Sequence, residues 1–132
     1  GVVNAVDRGI VVPPFILEKA KGVVEVHRES IQKAIEAGVK IAMGTDSGVT
    51  PHGMNLIELA EMASLGMSPA EVFTASTRSS AELMGIDDET GTIEVGKAAD
   101  LVVFDGTQLD VADLKNRVHT VIQDGNILAS SA

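Results

Sequence analysis

Two side chains in the loop after Met43 have the types and the spacing to do chemistry. Asp46 stands in Gly44-Thr45-Asp46-Ser47-Gly48, and His52 follows in Thr50-Pro51-His52-Gly53. A carboxylate can bind a cation or accept a proton, and an imidazole can do either or hold a substrate. A catalytic zinc takes about three protein ligands plus water, and this pair supplies at most two. Neither His-x-His nor His-Glu-x-x-His occurs. His27 falls in a helical pattern and His119 in a strand pattern near Arg117, and both read as structural. Ser47, Ser79 and Ser80 lack the pattern of a nucleophile elbow. The Gly44–Gly48 stretch resembles a phosphate loop only superficially, because no lysine follows it.

The elements around Asp46 set where its carboxylate goes. Val39, Ile41 and Met43 alternate with Lys40 and Ala42, the period of a strand. Asp46 then lies just past the carboxyl end of that strand, the edge where α/β folds collect their catalytic groups. A turn or helix cap is the structural alternative for an aspartate there. Upstream, Ala20, Val23, Val24, His27, Ile31, Ala34 and Ile35 recur at helical steps between about Ile16 and Ala37, and Gly38 ends them. Ile10-Val11-Val12, closed by Pro13-Pro14, reads as a short strand or extended lead-in. Downstream, Asn55 with Glu58 suggests a cap for a second helix that runs to Gly66. Ser68, Pro69 and Glu71 announce a third helix, broken near Thr77–Ser80 and closed by Gly85. Beyond Gly85 strands are expected at Thr92–Val95, Leu101–Phe104, Val118–Gln123 and Asn126–Leu128, with a helical turn in Asp110–Asn116. Asp124-Gly125 is a two-residue hairpin signal between the last two strands. A boundary near Gly85 divides a helical part, 1–85, from a strand-rich part, 86–132.

Composition narrows the functions. The 132 residues are 45% apolar, enough for a folded core. Three Phe with no Trp or Tyr leave few platforms for stacking bases or sugars. A net charge of −9 argues against nucleic-acid and anionic-membrane partners, which need clustered Lys and Arg. Without cysteine, disulfides and thiolate zinc sites are excluded, and a reducing cytoplasm is permitted. No apolar run approaches a membrane span and no signal peptide is visible, so a cytoplasmic location is expected. The opening Gly1-Val2-Val3-Asn4 lacks a Met and reads as a cut end. From the residues alone, the range runs from a piece of an α/β enzyme with one exposed carboxylate to a non-catalytic α+β domain.

Ala37–Gly48 resembles the last barrel strand of the amidohydrolase superfamily of metal-dependent hydrolases. Pro51-His52-Gly53-Met54-Asn55 with Glu58-Leu59 is similar to the following loop and helix of its imidazolonepropionase-like and Xaa-Pro dipeptidase (prolidase-like) branch. Met67–Val72, Ala75-Ser76-Thr77 and Ala81–Gly85 resemble the next helical pair, Gly91–Val103 the return to a small β-sandwich, and Val121–Ile127 the closing hairpin. The resemblance spans about residues 16–129. It implies an α/β fold: the C-terminal portion of a TIM-type (β/α)8 barrel, followed by strands of a β-sandwich, with the barrel incomplete in this chain.

The resemblance also implies roles. Asp46 would be a ligand of the more buried metal, zinc by expectation, and would carry a proton from the attacking water to the leaving nitrogen. His52 would contact substrate, a dipeptide or a cyclic amide. The family's His-x-His, its bridging lysine and its two further histidines find no counterpart here. This chain therefore looks like the C-terminal third of such an enzyme, inactive alone, which self-associates or pairs with a missing N-terminal part. The rival reading is a non-catalytic interaction module that folds by the same association.

Overall fold

The computed structural model describes residues 13–47, 52–107 and 109–130. Among these residues four helices come first: α1 (Pro14–Glu36), α2 (Leu56–Ser64), α3 (Pro69–Ser76) and α4 (Arg78–Met84). Strand β1 (Leu101–Phe104), a 3-10 turn (Leu114–Arg117), β2 (Val118–Gln123) and β3 (Asn126–Ser130) follow. The three strands form one antiparallel sheet in the order β1-β2-β3. Helices thus precede Gly85 and strands follow it, as the residue pattern suggested. The expected strand at Ile10–Val12 lies outside the described residues.

Local chemistry explains most element ends. Pro14 opens α1, where its missing N–H costs nothing. Ser68 and Glu71 form a full capping box at α3: the Glu71 carboxylate accepts from the Ser68 N–H at 2.7 Å, and the Glu71 N–H donates to Ser68 Oγ at 3.4 Å. Asn55 does not cap α2. Its backbone is already helical (φ −59°, ψ −32°), whereas a capping side chain needs an extended backbone to reach back. Thr77 (φ −120°, ψ −86°) breaks the helical run between α3 and α4. Asp124 and Gly125 both take positive φ, 48° and 75°, the signature of a type I′ turn joining β2 to β3.

Two expected strands do not form. Thr92–Val95 is irregular, with Ile93 and Val95 turned fully outward. Val39–Met43 is extended but belongs to no ladder among the described residues. Alternation gives a segment its shape, but a strand also needs a neighbour to take its backbone hydrogen bonds. At Met43 the N–H turns instead to Ala75 O and Ser80 Oγ, each at 3.2 Å.

The core lies under α2 and α3. Leu59, Met62, Met67, Val72, Ala75, Val111 and Leu114 are buried together, so the turn before β2 seals the helices. Ile35, Ile41 and Met43 pack onto this cluster from α1 and the extended segment. Phe73 and Phe104 meet at 6.4 Å between ring centroids, tilted by 50°, and link α3 to the sheet. Within α1, Val23, Val24 and His27 are exposed despite their place in the apolar stripe.

Candidate functional site

Asp46 stands at the end of the extended segment with its side chain exposed. Its φ is +49°, a left-handed backbone that few non-glycine residues adopt and that aspartate tolerates better than most. The hydroxyls on either side of it meet each other, Thr45 Oγ1 lying 2.9 Å from Ser47 Oγ. The chain therefore turns sharply at the one carboxylate that the sequence singled out.

Beyond Val39, whose N–H donates to Ala34 O of α1 at 2.9 Å, two fastenings hold the segment that leads there, one to α4 and one to the junction of α3 with α4. Lys40 Nζ pairs with the Glu82 carboxylate, which Arg78 also engages at 3.0 Å from the preceding turn. The bond from Lys40, and next that from Arg78, hold the Glu82 carboxyl below the usual carboxylate range. The second fastening is at Met43. The break at Thr77 leaves the Ala75 carbonyl near the end of α3, where it accepts from Met43 N–H and, at 2.8 Å, from Ser80 Oγ. Ser80 Oγ also accepts from Met43 N–H, so three groups form one closed knot.

His52 is exposed in a turn just before α2. Residues 48–51, between it and Ser47, lie outside the described part, and the structure assigns no shared geometry to Asp46 and His52. A groove of about 320 Å³ runs along the start of the segment between α1 and α3, lined by Ile35, Val39, Ile41, Met67 and Thr74 among others. Asp46 and His52 do not line it, so it is not the candidate site. His119 Nδ1 lies 2.7 Å from Thr120 Oγ1 in β2, consistent with a structural role.

Among the described residues no three His, Cys, Asp or Glu side chains converge as a metal would require. One carboxylate does not make a metal centre, and the donor set of the described residues by itself does not fit one.

Reading the residues one at a time missed Ser80 and Glu82. The signal for Ser80 is the helix break at Thr77, which leaves carbonyls for a hydroxyl to take up. Glu58 was read only as a cap partner. It is instead a half-buried carboxylate whose pKa is raised, first by burial and then by Glu61, with His27 acting in the opposite sense.

The chain is similar along most of its length to proteins of one kind. It is 36% identical over 105 residues to the imidazolonepropionase of Brevibacillus brevis, covering 75% of this chain and 25% of that one. It is 28% identical over 138 residues to the 5-methylthioadenosine/S-adenosylhomocysteine deaminase of Desulforudis audaxviator, covering 88% and 31%. Among solved structures it superposes on a Xaa-Pro dipeptidase with methionine bound in its active site, at TM-score 0.80 and 38% identity, over 90% of this chain and 29% of that one. The chain thus spans about a quarter to a third of the length of the proteins it matches. The family model that matches residues 4–128 is that of the amidohydrolases, and the chain belongs to the amidohydrolase family.

Proposed function

We propose that the chain is the C-terminal part of a hydrolase that cleaves a C–N bond in a dipeptide or a cyclic amide. In this reading Asp46 is its proton carrier. One Asp46 oxygen takes a proton from water as the water oxygen bonds to the carbonyl carbon. The same carboxyl then gives that proton to the leaving nitrogen as the C–N bond breaks, and the carboxylate is restored. Asp46 is also one metal ligand, with zinc the expected ion and the remaining ligands on polypeptide outside residues 1–132. His52 contacts substrate from the loop before α2. Residues 1–85 belong to a (β/α)8 barrel and 86–132 to a β-sandwich.

The observation that carries this reading is the left-handed turn at Asp46, held on an anchored segment within a family match that runs from 4 to 128. Strained backbone gathers where the surrounding fold imposes it for a purpose. The relatives support the substrate class: the imidazolonepropionase and the Xaa-Pro dipeptidase are named for ring-amide and peptide substrates.

The test uses the full-length polypeptide that contains this chain, assayed on dipeptides and cyclic amides. Asp46→Asn should lower kcat by about 10²–10⁴-fold, the usual worth of a positioned acid–base group, with thermal unfolding unchanged. His52→Ala should raise KM with little change in kcat. Near-normal kcat in Asp46→Asn would refute the role.

A further inference from the structure

We propose that Ser80 is a positioning residue for Asp46, acting through the backbone of Met43. The inference rests on the reading of Asp46 given above and goes beyond it by naming what holds the carboxylate in place.

Ser80 is half-buried in the first turn of α4 and touches both partners of the knot. Its Oγ accepts from Met43 N–H at 3.2 Å, donates to Ala75 O at 2.8 Å, and lies 3.4 Å from Met43 O. A residue in a ladder has its N–H and C=O fixed by a neighbouring strand. In the described structure a hydroxyl and the Ala75 carbonyl are the groups that take the Met43 N–H. Three residues further on the chain reverses at Asp46, so a displacement at Met43 is carried to the carboxylate with little chain between to absorb it.

The other fastening cannot substitute. Lys40 is largely exposed, and exposed ion pairs hold weakly. Only two groups meet the Met43 N–H in the described structure, and Ser80 orients the second by donating to it. An alanine at position 80 would leave Met43 N–H with Ala75 O alone and remove the tie nearest Asp46 between the segment and α4. A shift of about 1 Å at a reacting group is enough to cost up to about 10²-fold in rate.

A merely structural Ser80 would stabilise the junction of α3 and α4 and nothing more. Two measurements separate these roles. In the 132-residue chain, Ser80→Ala should speed amide exchange at Met43 by at least about tenfold and shift the Asp46 amide resonance. Amides within α3 should be unaffected, and Ser80→Thr, which keeps the hydroxyl, should restore both signals. In the full-length polypeptide, Ser80→Ala should lower kcat by about 10–100-fold, the usual effect of losing a group that orients a reacting one, with KM within about twofold and again with rescue by Ser80→Thr. An unchanged Met43 exchange rate overturns the proposal. So does an inactive Asp46→Asn variant beside a fully active Ser80→Ala variant, and that outcome leaves the role of Asp46 standing. Retained turnover in Asp46→Asn overturns the proposed function, and a catalytic purpose for Ser80 falls with it.

Discussion

Glu58 is a carboxylate whose surroundings oppose its charge. Burial raises its pKa first, the neighbouring Glu61 adds to the rise, and His27 on α1 works against it. The folded pKa lies above the unfolded one, so the folded state takes up this proton first as pH falls. The ionised group therefore costs stability at neutral pH, and the cost disappears as pH falls through the raised value toward the ordinary 4.5. Glu58→Gln should stabilise the chain at pH 7 by a few tenths of a kcal/mol, about 0.5 at most given how much of the side chain water still reaches. At pH 4 the two proteins should unfold together in urea. At this scale the sequence told unequally. The position of Asp46 just past the Val39–Met43 segment was legible because strand spacing and two glycines isolate it. Glu58 and Ser80 were not, because a burial and a freed carbonyl belong to the packing between helices, which no local spacing encodes.

Elements were legible wherever their ends are local events. The capping box at Ser68, the break at Thr77 and the turn at Asp124-Gly125 are each complete within a few residues. The segments Thr92–Val95 and Val39–Met43 are not, because a strand is a relation between two segments and the sequence states only one of them. The loop after α4 shows how tightly such irregular chain can still pack. A Cβ on Gly91 would lie 2.6 Å from Ala81 Cβ, and the backbone there has φ +94°. Gly96 has the same backbone sign, φ +97°, but open space around it. Gly96→Ala should therefore cost only the backbone penalty of about 1 kcal/mol, and Gly91→Ala about 3 kcal/mol once overpacking against α4 is added. Denaturant unfolding of the two variants side by side checks the difference. Because α4 anchors the Asp46 segment, Gly91→Ala should also disturb the Lys40–Glu82 pairing.

As a whole molecule, the chain buries one cluster and leaves much apolar surface outside it. Leu83, Met84, Ile93 and Val95 on and after α4, and Ile127 and Leu128 on β3, are well exposed. Single exposed apolar residues are ordinary, but a collection of this extent favours association. The matched relatives are three to four times longer, so they have polypeptide that could cover it. We expect residues 1–132 to sediment as a concentration-dependent oligomer, and to show no turnover of dipeptides when zinc is added. A monodisperse monomer with metal-dependent activity would contradict both expectations. The described residues include no helix long and apolar enough to cross a membrane. The family was readable from ordered motifs along the chain.

The turn at Asp124-Gly125 has a consequence for how the protein ages. In a flexible chain an aspartate followed by glycine cyclises readily: the glycine nitrogen attacks the side-chain carboxyl, and the succinimide reopens mostly to isoaspartate, with an extra methylene in the backbone. Here the Gly125 N–H is engaged by Ala99 O at 3.1 Å, and the Asp124 N–H is held by the Asp100 carboxylate at 2.7 Å. Both backbone nitrogens of the dipeptide are occupied and both φ angles are locked positive, so the nitrogen cannot swing onto the side-chain carbon. Storage at 37 °C should yield isoaspartate at residue 124 slowly in the native chain and much faster in urea, as mass spectrometry of the peptide containing it would record. Asp100→Ala frees the Asp124 N–H but leaves the Gly125 N–H on Ala99 O, so it should raise the native rate only part of the way toward the unfolded one, and the backbone of residue 99 is the main guard of this bond.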